Sequence, residues 1–329
     1  MSQSTSLLGQ AHIRRVLRHL LRRGVLIVLG VGLFLLFLYR LDLSELKGSI
    51  RAINLTLFSM IMLLNVAVPV LKTMRWQIVL SKLDMSIGKV EMLQGVSAGY
   101  FLGLVTPGTS GELGRILTVD VNRGIGITTV LYEKFFDFVV LLIISSGALL
   151  CHYFSWQIFV IAVVLFGCVS VLGLYLSSRN SGRPGRILGF MLHRLIPKEK
   201  EGSTETVSRS LNRLSRDFRL SLVCALFSLV LWVLPGVQFY MIGKSLNIPM
   251  DFRMTMIGFF VPYLAGIVSL LPLGLGVFDF STKGILSGSY GLAPELASSV
   301  VLIFRLLITL PLVIWGFVWY CYRVWRKQR

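Results

Sequence analysis

Apolar residues in this chain come in long, nearly unbroken blocks. Gly24 to Tyr39, Ile53 to Leu71, Thr128 to Leu150, Trp156 to Leu176, Leu220 to Ile242 and Ala297 to Tyr320 each approach the length that crosses a bilayer as a helix. The first is short, and Val16 to Leu21 can extend it. Two further apolar segments, Met92 to Thr106 and Met254 to Leu271, stop at matching signals. These are Pro107-Gly108-Thr109-Ser110-Gly111-Glu112 and Pro272-Leu273-Gly274-Leu275-Gly276-Val277-Phe278-Asp279. A membrane helix satisfies its backbone internally, so such a break persists only where protein or a water-filled cavity receives the freed groups. The two breaks predict a polar site within the bilayer, hinged at Pro107, Pro272, Gly274 and Gly276.

The distribution of bases orients the spans, because Lys and Arg in short loops stay cytoplasmic. Residues 1–23 are basic, the segment Lys72 to Lys89 carries Lys72, Arg75, Lys82 and Lys89, and the tail carries Arg323, Arg326, Lys327 and Arg329. Residues 179–219 hold ten bases against four acids. All four regions are expected on the cytoplasmic side, with both termini there. Segments 92–127 and 254–294 must then enter from opposite faces and return, as re-entrant loops or pairs of short helices. Gly99-Tyr100-Phe101-Leu102-Gly103 aligns with Pro262-Tyr263-Leu264-Ala265-Gly266, which predicts an inverted repeat. The fold class is all-α: one polytopic membrane domain over 1–329, with about six full spans and two opposed hairpins. Within 179–219, Val207, Leu211 and Leu214 recur at helical spacing, as in an amphipathic helix on the membrane surface or a solvated linker helix.

Composition agrees with this reading. The chain is 55% hydrophobic and 15% charged, with a mean hydropathy of +0.77. Its formal charge of +18 would suggest nucleic acid in a soluble protein. Here the bases flank apolar spans, and the positive-inside rule and anionic headgroups account for them without a nucleic acid partner. Cys151, Cys168, Cys224 and Cys321 lack paired spacing, so neither a disulfide framework nor a metal site is indicated. The N-terminal run has no small-residue cleavage site and is expected to be a retained anchor.

The candidate chemistry lies at the breaks. Gly108 and Gly111 free the backbone, and Glu112 and Arg115 follow, three apart. Exposed N–H groups at a helix start and a bidentate Arg suit a lipid phosphate, although Glu112 and Arg115 could instead neutralise one another. Asp279 and Lys283 repeat the arrangement four apart, where an intrahelical pair is the plain alternative. Arg305, inside the last span, needs a wet cavity or a buried anion such as Asp279, Glu112 or a substrate phosphate, unless it snorkels to the outer interface. Glu133 and Asp137 are two carboxylates on one face near the start of the third span, with Lys134 between them. They and Arg75 form a secondary group. His12, His19, His152 and His193 do not accompany the breaks, and no metal or cofactor motif is present.

These residues carry a family resemblance. Arg75-Trp76, Pro107-Gly108 through Gly111-Glu112 and Arg115, Pro272 through Gly274, Gly276 and Asp279, and Arg305 resemble the lysylphosphatidylglycerol synthase transmembrane-region family. That family is the flippase-like half of multiple peptide resistance factor proteins. The resemblance implies a helical domain with re-entrant hairpins that moves a phospholipid headgroup between leaflets. The family's usual Glu in the second motif is Asp279 here, one methylene shorter, and the protein is expected to lack the aminoacyl-transferring domain of the fused proteins. A stand-alone flippase-like translocator in a bacterial-type inner membrane is expected, acting on an anionic phospholipid or a polyprenyl-phosphate-linked lipid, with no cofactor. The alternatives are a membrane-embedded transferase or phosphatase using Glu112 or Ser110, and a non-transporting partner of a separate lipid-modifying enzyme.

Overall fold

The computed structural model describes residues 54–104, 106, 110–153 and 201–327, together with Gly32 and Tyr39. The expected span Trp156 to Leu176, the basic 1–23 segment, and Pro107 and Gly108 lie outside the described residues, as does Gly24 to Tyr39 apart from those two positions.

Helix α1 (Leu55–Ser81) starts where the Asn54 side chain accepts from the Thr56 N–H at 2.8 Å. It passes the expected end at Leu71 and runs for 27 residues. Lys72 and Arg75, read from sequence as loop bases, are therefore helical, and Arg75 is only 1% exposed. The helix continues because both cations meet carboxylates inside the bundle, so their polarity does not require bulk solvent. Helix α2 (Lys89–Leu104) has 16 residues, about 24 Å of rise, which is short of the roughly 30 Å hydrocarbon core. Beyond it come a 3₁₀ turn, Ser110–Gly114, and the single turn α3 (Arg115–Thr118). The Asp120 N–H then donates to Glu91 Oε1 at 3.1 Å, so the chain has returned to the start of α2.

Helix α4 (Arg123–Tyr153) begins five residues before the expected Thr128. Glu133, Lys134 and Asp137 accordingly sit in its interior rather than near its start. Helix α5 (Glu201–Arg216) turns Val207, Leu211 and Leu214 against Val79, Tyr132 and Phe136, so its apolar stripe packs on protein rather than on lipid. Asp217 caps α6 (Phe218–Ser245) by accepting from the Leu220 N–H at 3.0 Å, and it pairs with Lys82 at 2.7 Å. The Lys82 hydrogen bond holds the Asp217 carboxyl below its ordinary range.

Helix α7 (Phe252–Val268) contains a π-helical stretch, Met256–Phe260, and is followed by the second break. Leu270, Leu273, Gly274 and Gly276 there all have positive φ. Helix α8 (Val277–Gly288) runs back along α7, with Leu286 against Gly258. Helix α9 (Pro294–Arg326) carries a second π-helical stretch, Arg305–Thr309. Among the described residues, α1, α6 and α9 are long and apolar enough to cross a membrane. Helix α4 is longer than α1 and α6 and carries Glu133, Lys134 and Asp137 in its first half.

A buried cluster of Phe239, Phe259, Phe260, Phe278 and Phe304 joins α6, α7, α8 and α9. Helix α9 also lies close along α2. Gly316 faces the Ser97 carbonyl and the Phe101 N–H, and the Phe101 and Phe317 rings meet at 5.0 Å. Arg323 ends this contact by donating to the Thr118 carbonyl at 2.9 Å and pairing with Glu91. Lys82, Asp84, Glu91, Asp217 and Arg323 thus gather at one end of the bundle.

A β-carbon at position 316 would overlap the α2 backbone, which a side-chain rotation cannot relieve. Gly316→Val is expected to destabilise the protein by at least about 1–3 kcal/mol, the usual range for overpacking. A thermal melt in detergent checks this against Gly284→Ala, where the added carbon meets nothing within 4 Å.

Candidate functional site

Helices α1, α2, α4, α6, α7 and α9 surround a cavity of about 390 Å³, which Glu112 of the first break and Leu273 and Gly274 of the second line. Most of its wall is apolar, from side chains such as Leu131, Phe135, Trp232 and Leu312. Its charged groups are Lys72, Glu112, Lys134, Asp137 and Arg305. Gly103 beside the first break and Leu273 in the second meet in the wall. A β-carbon on Gly103 would lie 3.5 Å from Leu273 Cδ2.

The first break delivers Glu112. Lys72 Nζ and Lys134 Nζ both reach its Oε1, at 2.9 and 2.7 Å. Behind them lies a drier network. Arg75 donates to Asp137 through Nη1 at 2.6 Å and Nη2 at 3.1 Å, and to Glu133 through Nε at 3.3 Å. Ser228 Oγ donates to Asp137 Oδ1 at 2.7 Å, and the Trp232 indole N–H donates to the Asp137 carbonyl at 2.8 Å. Arg115 pairs with the other oxygen of Glu133 and stacks over the Trp76 ring at 4.2 Å.

The second break delivers Asp279. Its Oδ2 accepts the Gly276 N–H at 2.8 Å, which closes the first turn of α8. Arg305 grips the same carboxylate, Nε to Oδ1 at 2.8 Å and Nη2 to Oδ2 at 3.2 Å, while Nη1 donates to the Leu273 carbonyl at 3.2 Å. Arg305 therefore also holds Leu273, whose φ of 50° lies in the left-handed region that disfavours leucine. The π stretch of α9 lines the site, that of α7 ends three residues before the lining Tyr263, and side chains collect carbonyls from both. Asn65 Nδ2 donates to the Leu307 carbonyl at 2.9 Å, and Ser145 Oγ donates to that of Phe260 at 3.0 Å. Such stretches often mark functional positions in helices.

The structure separates several residues that sequence spacing had joined. Glu112 and Arg115 do not neutralise one another: Glu112 faces the cavity, while Arg115 points behind it to Glu133 and does not line the cavity. Asp279 pairs with Arg305 across helices instead of with Lys283, which is half-buried on α8. Glu133 and Asp137 are not a bare repelling pair, because one guanidinium bridges them. Lys134, between them in sequence, reaches into the cavity. Of the predicted glycines, Gly111 packs against the Gly103 backbone and Gly274 against Gly266, each too close for a side chain. Lys72, Tyr100, Asn65 and Gln238 were not selected from sequence, yet all line the cavity. The signal for Lys72 was its spacing of three from Arg75, one helical face.

The described fold and cavity define an all-α polytopic membrane protein with a charged site enclosed by its helices. The chain belongs to the lysylphosphatidylglycerol synthase transmembrane-region family, whose model matches residues 24–316. It is a flippase-like membrane protein of that family. A UPF0104 membrane protein of Methanothermobacter thermautotrophicus is 23% identical over 314 residues, covering 86% of this chain and 90% of the relative. Another, of Pyrococcus horikoshii, is 20% identical over 312 residues, covering 87% and 93%. No solved structure matches the chain. Among the described residues, no group of three or more His, Cys, Asp and Glu could hold a metal ion.

Removing one member of a buried ion pair leaves its partner uncompensated, at a cost of about 3–5 kcal/mol. Arg305→Met is expected to lose stability on that scale, and adding Asp279→Asn should recover most of it. Unfolding of the three proteins in mixed micelles provides the comparison.

Proposed function

We propose that the cavity receives the headgroup of a phospholipid or lipid-linked phosphate as it passes between leaflets, while the acyl tails stay in lipid. One observation carries this reading: both breaks bring ionised groups into a single apolar-walled cavity, Glu112 from the first and the Asp279-held Arg305 at the second. Ionised side chains are costly in the membrane interior, and where they face a cavity they mark substrate pathways. Arg305 lines the cavity and is the phosphate contact nearest the second break. Glu112 lies at the first. Arg115 acts from behind the cavity by fixing Glu133.

The proposed topology is six spans with segments 92–127 and 254–294 as opposed re-entrant hairpins in an inverted repeat. The glycine contacts support it. Gly103 meets Gly111 and Gly266 meets Gly274, each pair eight residues apart, with Tyr100 and Tyr263 both three residues before the first glycine. Opposed hairpins would open one shared site to each face in turn. The basic end of the bundle, with Lys82, Lys89 and Arg323, faces the cytoplasm of a plasma membrane, and the termini lie there. The partners are anionic phospholipids or polyprenyl-phosphate-linked lipids.

Reconstituted into liposomes, the protein is expected to move a headgroup-labelled phospholipid between leaflets and to leave it chemically unaltered by mass spectrometry. Arg305→Ala should slow this by about tenfold or more, the factor that goes with about 1.4 kcal/mol of lost interaction. Equal rates for both proteins would remove Arg305 from the mechanism, and an altered lipid would make the chain an enzyme.

A further inference from the structure

Two ammonium groups share one carboxylate oxygen in the cavity, Lys72 and Lys134 on Glu112 Oε1. One carboxylate balances one of them. The other nearby acids are already engaged: Asp137 by both terminal nitrogens of Arg75 and by Ser228, Glu133 by Arg75 and Arg115, and Asp279 by Arg305. Around the cavity Lys72, Arg75, Arg115, Lys134 and Arg305 thus face Glu112, Glu133, Asp137 and Asp279, a surplus of one positive charge. In a site walled by apolar side chains, such a surplus attracts an anion strongly, because a wall of low dielectric screens it little.

We infer that Lys72 and Lys134 form the subsite for one singly charged phosphate group, and that Arg75 is the positioning residue that keeps this charge uncancelled. The inference rests on the headgroup reading of the cavity and adds which atoms take the phosphate. Lys134 and Asp137 are three apart on α4 and share a helical face, so they are natural partners. Arg75 prevents that pairing by holding both oxygens of Asp137. Without Arg75, Asp137 turns to Lys134, and the charges around the cavity sum to zero. A phosphodiester monoanion, as in phosphatidylglycerol, matches the surplus. A zwitterionic headgroup brings its own ammonium and gains less. Lys72 also lies 5.1 Å from the centre of the Tyr100 ring, which keeps its ammonium beside the cavity wall.

The charge count makes the test specific. Arg75→Met removes the surplus, and Arg75→Met with Asp137→Asn restores it while still lacking the guanidinium. Binding is measured on the full chain in phosphatidylcholine nanodiscs doped with phosphatidylglycerol, with inorganic phosphate as competitor. The wild type should prefer phosphatidylglycerol, the single variant should lose about tenfold in affinity, and the double variant should regain most of it. Displacement by millimolar phosphate would assign the subsite to the phosphate group from either source, and its absence would assign it to the lipid headgroup; both support the proposal. A single variant that binds like wild type, or a folded double variant as weak as the single, overturns it. A wild type that translocates lipid without preferring the anionic one overturns the subsite but spares the headgroup reading. A wild type that neither binds nor translocates overturns both.

Discussion

A charge inside a membrane protein must find an opposite charge or a wet cavity, and most of this structure follows from that constraint. Arg305 could not occupy the middle of α9 without the Asp279 carboxylate, and Asp279 reaches it only because the second break starts a new helix at that point. Arg75 could not continue α1 past its apolar run without Asp137 and Glu133. Each interruption of the apolar pattern is therefore matched by another on a different helix. The interruptions collect in one place, between the two breaks.

The glycines make this meeting geometrically feasible. Gly111 and Gly274 each lie against a glycine of the preceding helix, where any side chain would collide with backbone. That contact folds the chain back sharply enough to bring Glu112 and Leu273 into one cavity. The π stretches in α7 and α9 contribute differently. They leave carbonyls out of register with their usual donors, and Ser145 and Asn65 take them up, which ties α4 and α1 to the helices that flank the second break.

Membership of the transmembrane-region family fits these features. Asp279 shows how one short side chain serves two partners: it both caps α8 and grips Arg305, because it sits in the first turn of the helix, beside the Gly276 N–H, and the guanidinium supplies the remaining reach. The named archaeal relatives extend along nearly the same length, so the similarity concerns the membrane region as a whole rather than one motif.

Hydropathy by itself determined that this is an all-α membrane protein, and proline, glycine and acid together located its two breaks, because backbone satisfaction in lipid leaves few other meanings for such a pattern. Sequence also singled out Glu112, Asp279 and Arg305, since isolated charges near apolar runs stand out. Sequence also offered Asp279 among the partners of Arg305, and the fold makes that pair; the other partners were decided only by the tertiary structure. Spacing along one helix suggested Glu112 with Arg115, Asp279 with Lys283, and Glu133 opposed to Asp137. The folded chain instead pairs every one of these acids across helices, because in a low-dielectric interior the strongest available contact prevails over the nearest in sequence. Lys72 was hidden for the same reason: past the expected end of a span a lysine reads as a solvated loop residue, and only packing turns it inward.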